Sequence, residues 1–270
     1  MKKISVIIPT YNRADKIEKS IRSVLNQTYS DVEVLVVDDA STDNTRDVVC
    51  SIQDERVRYI RLEQNGGASA ARNAGVSFAD TEWIAFHDSD DAWRFDKLEK
   101  QVQYRDLHPE YDLIYTAYVL HLANEEDIYV PGSMPVECLQ GDMYNLLLKG
   151  NTIGAPTILM RKAVFEEVNG FDTTWKSLED WDFVLRISKN HKIGYVNEIL
   201  LDAYRLEGSI SSNVGAYYSS RCRMIAEHKE EMVKRGLFDE VLLSLFQKAQ
   251  QEGVLEMVQK LLMQSLMQYQ

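Results

Sequence analysis

Cysteine is scarce in this chain of 270 residues. Cys50, Cys138 and Cys222 are odd in number, lie far apart and include no CxxC pair. That excludes a zinc ribbon and a disulfide framework, and points to reduced thiols in cytosol. Long apolar runs are absent too. Val6-Ile7-Ile8 stops at Pro9, too short for a signal-peptide core, and no stretch nears the ~20 residues of a membrane span. The expectation is a soluble, cytoplasmic protein, with peripheral contact at the inner face of a membrane as a second placement. Basic residues are outnumbered, 30 Lys+Arg against 42 Asp+Glu, a net charge of −12. Such a chain repels phosphate backbones, so no nucleic-acid partner is expected. There is no GxGxxG fingerprint, no P-loop and no GxSxG, which excludes dinucleotide oxidoreductases, P-loop enzymes and serine hydrolases of that type.

What is present is ordinary globular composition, 45% hydrophobic and 27% charged. The first ~110 residues alternate between two periods. Ile4–Ile8, Val32–Val37, Val57–Leu62 and Trp83–Phe86 read as strands. Between them Ile17, Ile21, Val24 and Leu25 share one helix face, Ser41 or Thr42 can cap a helix running to Ile52, and Ala68–Phe78 is a small-residue helix. Asp96–His108 follows as a helix with Leu98 and Val102 inward. This βαβ rhythm implies a parallel sheet with helices on both faces.

The middle third predicts a strand over Asp112–Leu122, a strand over Thr157–Met160, helices over Lys162–Val168 and Glu179–Asn190, and strands over Ile193–Val196 and Leu200–Tyr204. From about Asn213 strand signals vanish, and Val254, Val258, Leu261, Leu262 and Leu266 mark an amphipathic helix. The expected organisation is one domain over residues 1–212, made of halves 1–110 and 111–212, with a C-terminal helical extension over 213–270.

Three acidic clusters stand out: Asp38-Asp39, Asp88-Ser89-Asp90-Asp91, and Glu179-Asp180 with Asp182. The first two follow strand ends and should meet in the crevice outside the carboxyl edge of the sheet. A lone acidic pair is most simply a helix cap, which suits Asp43. Three carboxylates in four residues repel one another unless a cation neutralises them, and oxygen ligands of this kind suit Mg²⁺ or Mn²⁺. Asn65-Gly66-Gly67-Ala68 leads into a helix whose N-terminus favours an anion, although a plain tight turn fits the segment equally. The five histidines form no spaced ligand set, and His87 reads as structural.

Five segments, Ser5–Arg13, Val36–Asp43, Asn65–Asn73, Asp88–Trp93 and Glu179–Phe183, stand in the order and wording of family 2 glycosyltransferases. The chain resembles that family over roughly residues 3–210. The resemblance implies an α/β protein of GT-A (Rossmann-like) fold, a mostly parallel sheet flanked by helices, that transfers sugars from nucleotide donors with inversion. Carried over by position, Pro9, Thr10, Tyr11, Asp39, Arg72 and Asp88 would bind the donor. Asp90 would hold Mn²⁺ or Mg²⁺, as the last acid of a DxD motif. Asp180 would be the catalytic base, with Trp181 following at the acceptor side. One feature departs from the family: no His follows Tyr204-Arg205, and Arg205 and Ser209 are the candidates to take its place.

The implied partners are a nucleotide-sugar donor, most often a UDP-sugar in this family, and a saccharide or lipid-linked saccharide acceptor of surface-polysaccharide synthesis. Tyr115, Tyr118, Tyr129 and Tyr144 fall in the acceptor-side stretch but read first as core. Rival readings are a non-catalytic nucleotide-binding module, which Asp180 argues against, and a Mg-dependent nucleotidyltransferase of similar architecture. A DxD phosphatase would need a carboxylate where Pro9-Thr10-Tyr11 stand. If Asp180 attacked the sugar itself, the outcome would be retention. The apolar tail is read as packing on the catalytic domain or on a second copy in a homodimer. Membrane docking ranks below these, because the tail's Lys and Arg residues are interrupted by acids.

Overall fold

In the computed structural model, which describes residues 3–122, 125–205 and 213–269, the strand runs read from the sequence form one sheet. β1 (Ile4–Thr10) and β2 (Val32–Asp38) are almost wholly buried, which is why they lack a polar face. β2 pairs in parallel with β1 and with β3 (Val57–Arg61), and β1 also with β4 (Trp83–Phe86). The joining helices are α1 (Ile17–Leu25), α2 (Thr45–Ser51) and α3 (Ala68–Ser77). Neither Ser41 nor Thr42 caps α2. The Ser41 hydroxyl instead accepts from the Asn12 amide at 2.9 Å, and Asp43 accepts from the first helical amide, Thr45, at 3.0 Å.

The second half is mixed. Short β5 (Ala92–Trp93) precedes α4 (Lys97–Leu107) and β6 (Leu113–Leu122), against which β7 (Ile128–Val130) folds back. α5 (Tyr144–Lys149), β8 (Leu159–Arg161), α6 (Lys162–Glu167) and α7 (Glu179–Ser188) follow. Antiparallel β8 sits between β4 and β6. The two strands expected over Ile193–Val196 and Leu200–Tyr204 are one, β9 (Ile193–Arg205), parallel to β6. Polar Asn197 and Glu198 interrupt the apolar pattern there without ending the strand, because the pairing passes from Val196 to Ile199 through a bulge. Among the described residues the order is β3-β2-β1-β4-β8-β6-β9-β5, with β7 beside β6.

Strand alternation sorts the core onto two faces. Val6, Ile8, Val34 and Val36 pack with Ile17, Ile21 and Leu98 of α1 and α4. Ile7, Leu35 and Val37 pack on the other face with α3, α5, α6 and α7. The tail consists of α8 (Val214–Glu227), α9 (Lys229–Lys234), α10 (Phe238–Gln251) and α11 (Leu255–Gln268). Tyr218, Cys222, Ile225, Val258 and Leu262 of this tail join the same second-face core. No described helix is long and apolar enough to cross a membrane, and all three cysteines are free.

α3 reaches the sheet because Gly75 has no side chain. A Cβ there would lie 2.5 Å from the Ile7 Cγ2 and 3.0 Å from the Val37 Cγ2. The overpacking cost of Gly75→Ala, about 1–3 kcal/mol, should exceed the helix-propensity gain of about 1 kcal/mol. Urea denaturation should therefore show a destabilised variant. Unchanged stability would mean that α3 can move off the sheet freely.

Candidate active site

The carboxyl ends of β1, β2 and β4 open into a cavity of about 780 Å³. Its wall includes Pro9, Thr10, Tyr11, Asp39, Arg72 and Asp88, and beside them Asp90 and Asp180. All eight residues singled out in the sequence therefore meet in one place, although they span most of the chain.

Local chemistry sets each corner. After β1, Asn12 adopts a left-handed conformation (φ 51°), which asparagine tolerates. Its side-chain oxygen accepts the Thr42 amide at 2.8 Å, lacing the turn after β1 to the turn after β2. The acidic pair ending β2 divides its work. Asp38 is wholly buried and accepts from the Tyr59 hydroxyl, from Arg61 at 3.2 Å and from the Ser41 amide at 2.7 Å, so it is structural. Asp39 faces the cavity, and its two oxygens accept the Gly66 and Gly67 amides at 2.8 and 2.7 Å. Gly67 enters α3 at φ 86°, a conformation that suits glycine.

Arg72, on α3, is 4% exposed. Its Nη2 donates to Asp88 at 2.8 Å and its Nη1 to Glu179 at 3.1 Å. Burial alone would lower its pKa, but Asp88 and Glu179 more than offset this and hold it fully charged. Asp90 lies 3.5 Å from the Arg13 Nε. Burial and then Asp88 push the Asp90 pKa up, and burial with Asp88 and Asp90 pushes Asp91 well up. Asp91 is spent structurally, accepting the Tyr204 amide at 3.1 Å and so fixing the end of β9.

Among the described residues, no three His, Cys, Asp or Glu side chains form a metal cage of their own. Asp88 and Asp90 do fit a hard cation that keeps other ligands. They are oxygen donors on the cavity wall, burial and the neighbouring Asp88 raise the pKa of Asp90, and Mg²⁺ sites commonly use one or two carboxylates with substrate phosphates.

Asp180 occupies the first turn of α7, which starts just after Leu178 in a left-handed conformation (φ 62°). The half-buried carboxylate accepts the Trp181 amide at 2.7 Å. Burial first, and Glu179 second, push its pKa up to about 7, against the pull of Arg72. Asp182 pairs with Arg186 at 2.8 Å, the i, i+4 bridge that the spacing suggests. Trp181 corrects the acceptor-side expectation. Its indole is buried, donates to the Leu147 carbonyl at 2.6 Å and belongs to the core, because apolar neighbours from α5 and the tail enclose it.

His87 is structural, as read. It is wholly buried, 3.1 Å from the Ser23 hydroxyl, and burial lowers its pKa to about 3. Of the four tyrosines, Tyr115 and Tyr144 are core, Tyr118 lines the cavity and Tyr129 is exposed. Arg13, Tyr118 and Pro156 are among the wall residues that had no assigned site role in the sequence reading. Arg13 had a signal, a cation inside the first quoted segment, whereas Pro156 had none. Arg205 also lines the cavity, while Ser209 lies outside the described residues.

The family model described as glycosyl transferase family 2 matches residues 5–168. Escherichia coli WfgD, a UDP-Glc:alpha-D-GlcNAc-diphosphoundecaprenol beta-1,3-glucosyltransferase, is 37% identical over 212 residues, covering 78% of this chain and 80% of WfgD. TuaG of Bacillus subtilis, a putative teichuronic acid biosynthesis glycosyltransferase, is 34% identical over 217 residues, covering 78% and 82%. The solved structure of S. aureus TarS 1–349 in complex with UDP superposes with a TM-score of 0.62 at 26% identity, over 83% of this chain. This chain spans 64% of the length of that structure.

Folding disfavours the ionised form of Asp180. The stability it contributes is complete below the ordinary carboxylate pKa of 3.8 and is lost as pH rises through about 7. Asp180→Asn should therefore raise the Tm at pH 8 and leave it unchanged at pH 4. An equal Tm shift at both pH values would show that Asp180 is not strained by its charge.

Proposed function

The chain belongs to glycosyl transferase family 2, and from that premise we propose a metal-assisted, inverting transfer of a sugar from a UDP-sugar to an acceptor hydroxyl in polysaccharide synthesis. The observation that carries this reading is one cavity holding two kinds of carboxylate. Asp88 and Asp90 are crowded acids, and Asp180 is an acid whose pKa of about 7 suits a base at neutral pH.

Pro9, Thr10 and Tyr11 form the corner that takes the nucleoside. Asp39 holds the Gly-rich turn with one lone pair on each oxygen and keeps others free to accept a donor from the base. Asp88 and Asp90 would hold Mn²⁺ or Mg²⁺, which supplies charge neutralisation to the diphosphate as it leaves. Arg72 keeps Asp88 and Glu179 in place from behind. UDP as the nucleotide is supported by the donor named for WfgD and by the UDP complex of TarS.

Asp180 takes the proton of the acceptor hydroxyl as that oxygen bonds to the anomeric carbon. The bond from that carbon to the diphosphate oxygen breaks, and the electron pair leaves with the nucleoside diphosphate. Attack from the side of the base, opposite the leaving group, inverts the centre. The acceptor reading is a saccharide carried on a lipid, the class named for WfgD. Such an acceptor is met at a membrane surface, so the proposal places the protein at the cytoplasmic face.

Two outcomes test this. With a lipid-linked GlcNAc acceptor, kcat/KM should fall about tenfold per pH unit below about 7, as Asp180 takes up its proton. Asp180→Asn should lose about 10²–10⁴-fold above pH 7, a gap that narrows as pH falls, with UDP affinity unchanged. An Asn variant of near wild-type rate removes Asp180 as the base. Separately, calorimetry should find UDP binding that needs Mn²⁺ and disappears in Asp90→Ala. Metal-independent binding, equal in both proteins, would refute the metal site.

A further inference from the structure

A second hollow, of about 690 Å³, shares no wall residue with the first. It lies between the chain entering α4, the end of β7 and the bulge of β9. Leu200 borders it, whereas the next residue, Leu201, borders the catalytic cavity. Ala117 and Tyr118 divide in the same way. The paired strands β6 and β9 are thus a common wall between the two spaces.

Two aromatic rings converge on this hollow and meet water. Phe95 is 66% exposed and Tyr129 is 59% exposed, and the two rings border one hollow, so both are open to a ligand there. The surrounding charges are already matched. Lys100 lies 2.8 Å from Asp96 and also pairs with Glu198, and Arg94 lies 3.4 Å from Asp202. With no surplus of either sign, the hollow offers little to a phosphate or to a cation. It offers flat apolar faces, the Asn197 amide and the outer edges of these paired groups. Asn197 is itself held by the Tyr195 hydroxyl at 3.2 Å. A ligand that matches has apolar C–H faces and many neutral hydroxyls, which describes an uncharged saccharide.

We propose that this hollow is a second saccharide subsite, which holds sugar units of the acceptor remote from the reacting hydroxyl. The inference rests on the saccharide-acceptor reading above. Phe95 and Tyr129 supply the platforms, and Asn197 and Glu198 the polar rim.

The probes are neutral hexasaccharides of glucose and of N-acetylglucosamine, titrated by NMR into the full chain with UDP present. Binding at millimolar concentration is expected. The double variant Phe95→Ala/Tyr129→Ala should weaken it about tenfold, the scale of lost ring stacking, with UDP affinity and Tm unchanged because both rings are exposed. Tyr129→Phe should keep most of the binding. No binding of either hexasaccharide to wild type, or binding indifferent to the double variant, overturns the subsite. So does a wild-type dimer that becomes a monomer in the double variant, since the rings would then be a protein interface. UDP binding without saccharide binding refutes the subsite alone. Saccharide binding through Phe95 and Tyr129 without UDP binding leaves the subsite standing and refutes the donor reading.

Discussion

Arg72 cannot sit in this interior unpaired, because an unpartnered buried guanidinium costs far more than a fold of this size can spare. Its two partners come from different parts of the chain, Asp88 beyond β4 and Glu179 at the start of α7. Satisfying one cation therefore brings the parallel half of the sheet and the mixed half to a fixed distance. Asp180 is next to Glu179, so the same contact positions it relative to Asp88 and Asp90. The arrangement also sets its electrostatics. Glu179 opposes the charge on Asp180 while Arg72 favours it, and burial tips the balance toward a proton held near neutrality.

The parallel half was legible because its physics is local. Buried strands such as Ile4–Thr10 have no polar face to confuse the period, and the helices between them carry clear stripes. That the candidate residues gather in one cavity was legible for a related reason, since acids placed just after such strands have one edge on which to meet. The mixed half was harder. β5 has two residues and β7 three, too few to show any period, and α5 has six. β9 was read as two strands because a bulge puts polar residues inside a continuous one. α4 hides a different surprise: Lys97 and Gln101 are wholly buried, and the lysine donates to the glutamine at 2.7 Å. A polar pair satisfied by its own contact and by the Ile114 and Thr157 carbonyls leaves no trace in a hydrophobic pattern. Trp181 shows the limit of motif matching, since adjacency in sequence to Asp180 does not carry the indole to the cavity.

Acidity has two meanings in this molecule. Most carboxylates are paired or solvated, as with Asp182 on Arg186 and Asp38 under Tyr59 and Arg61. A few gather in one cavity, where Arg72 and Arg13 lie against Asp88 and Asp90 while Asp91 and Asp180 are pushed toward their protonated forms. The excess of negative charge in the composition is a weak guide to a ligand, and its uneven compensation in three dimensions is a better one.

The tail does more than cover apolar surface. Arg221 of α8 stacks 4.2 Å over the Trp181 ring and donates to the Lys149 carbonyl at 2.7 Å. Arg223, two residues on, bonds to Asp172 at 3.1 Å in the segment leading to α7. The helix that carries Asp180 is thus gripped from behind by the C-terminal helices, which lie beyond residues 5–168, the span that the family model matches. A substitution at Arg221 or Arg223 would therefore act on the position of Asp180 from across the core, without touching the cavity.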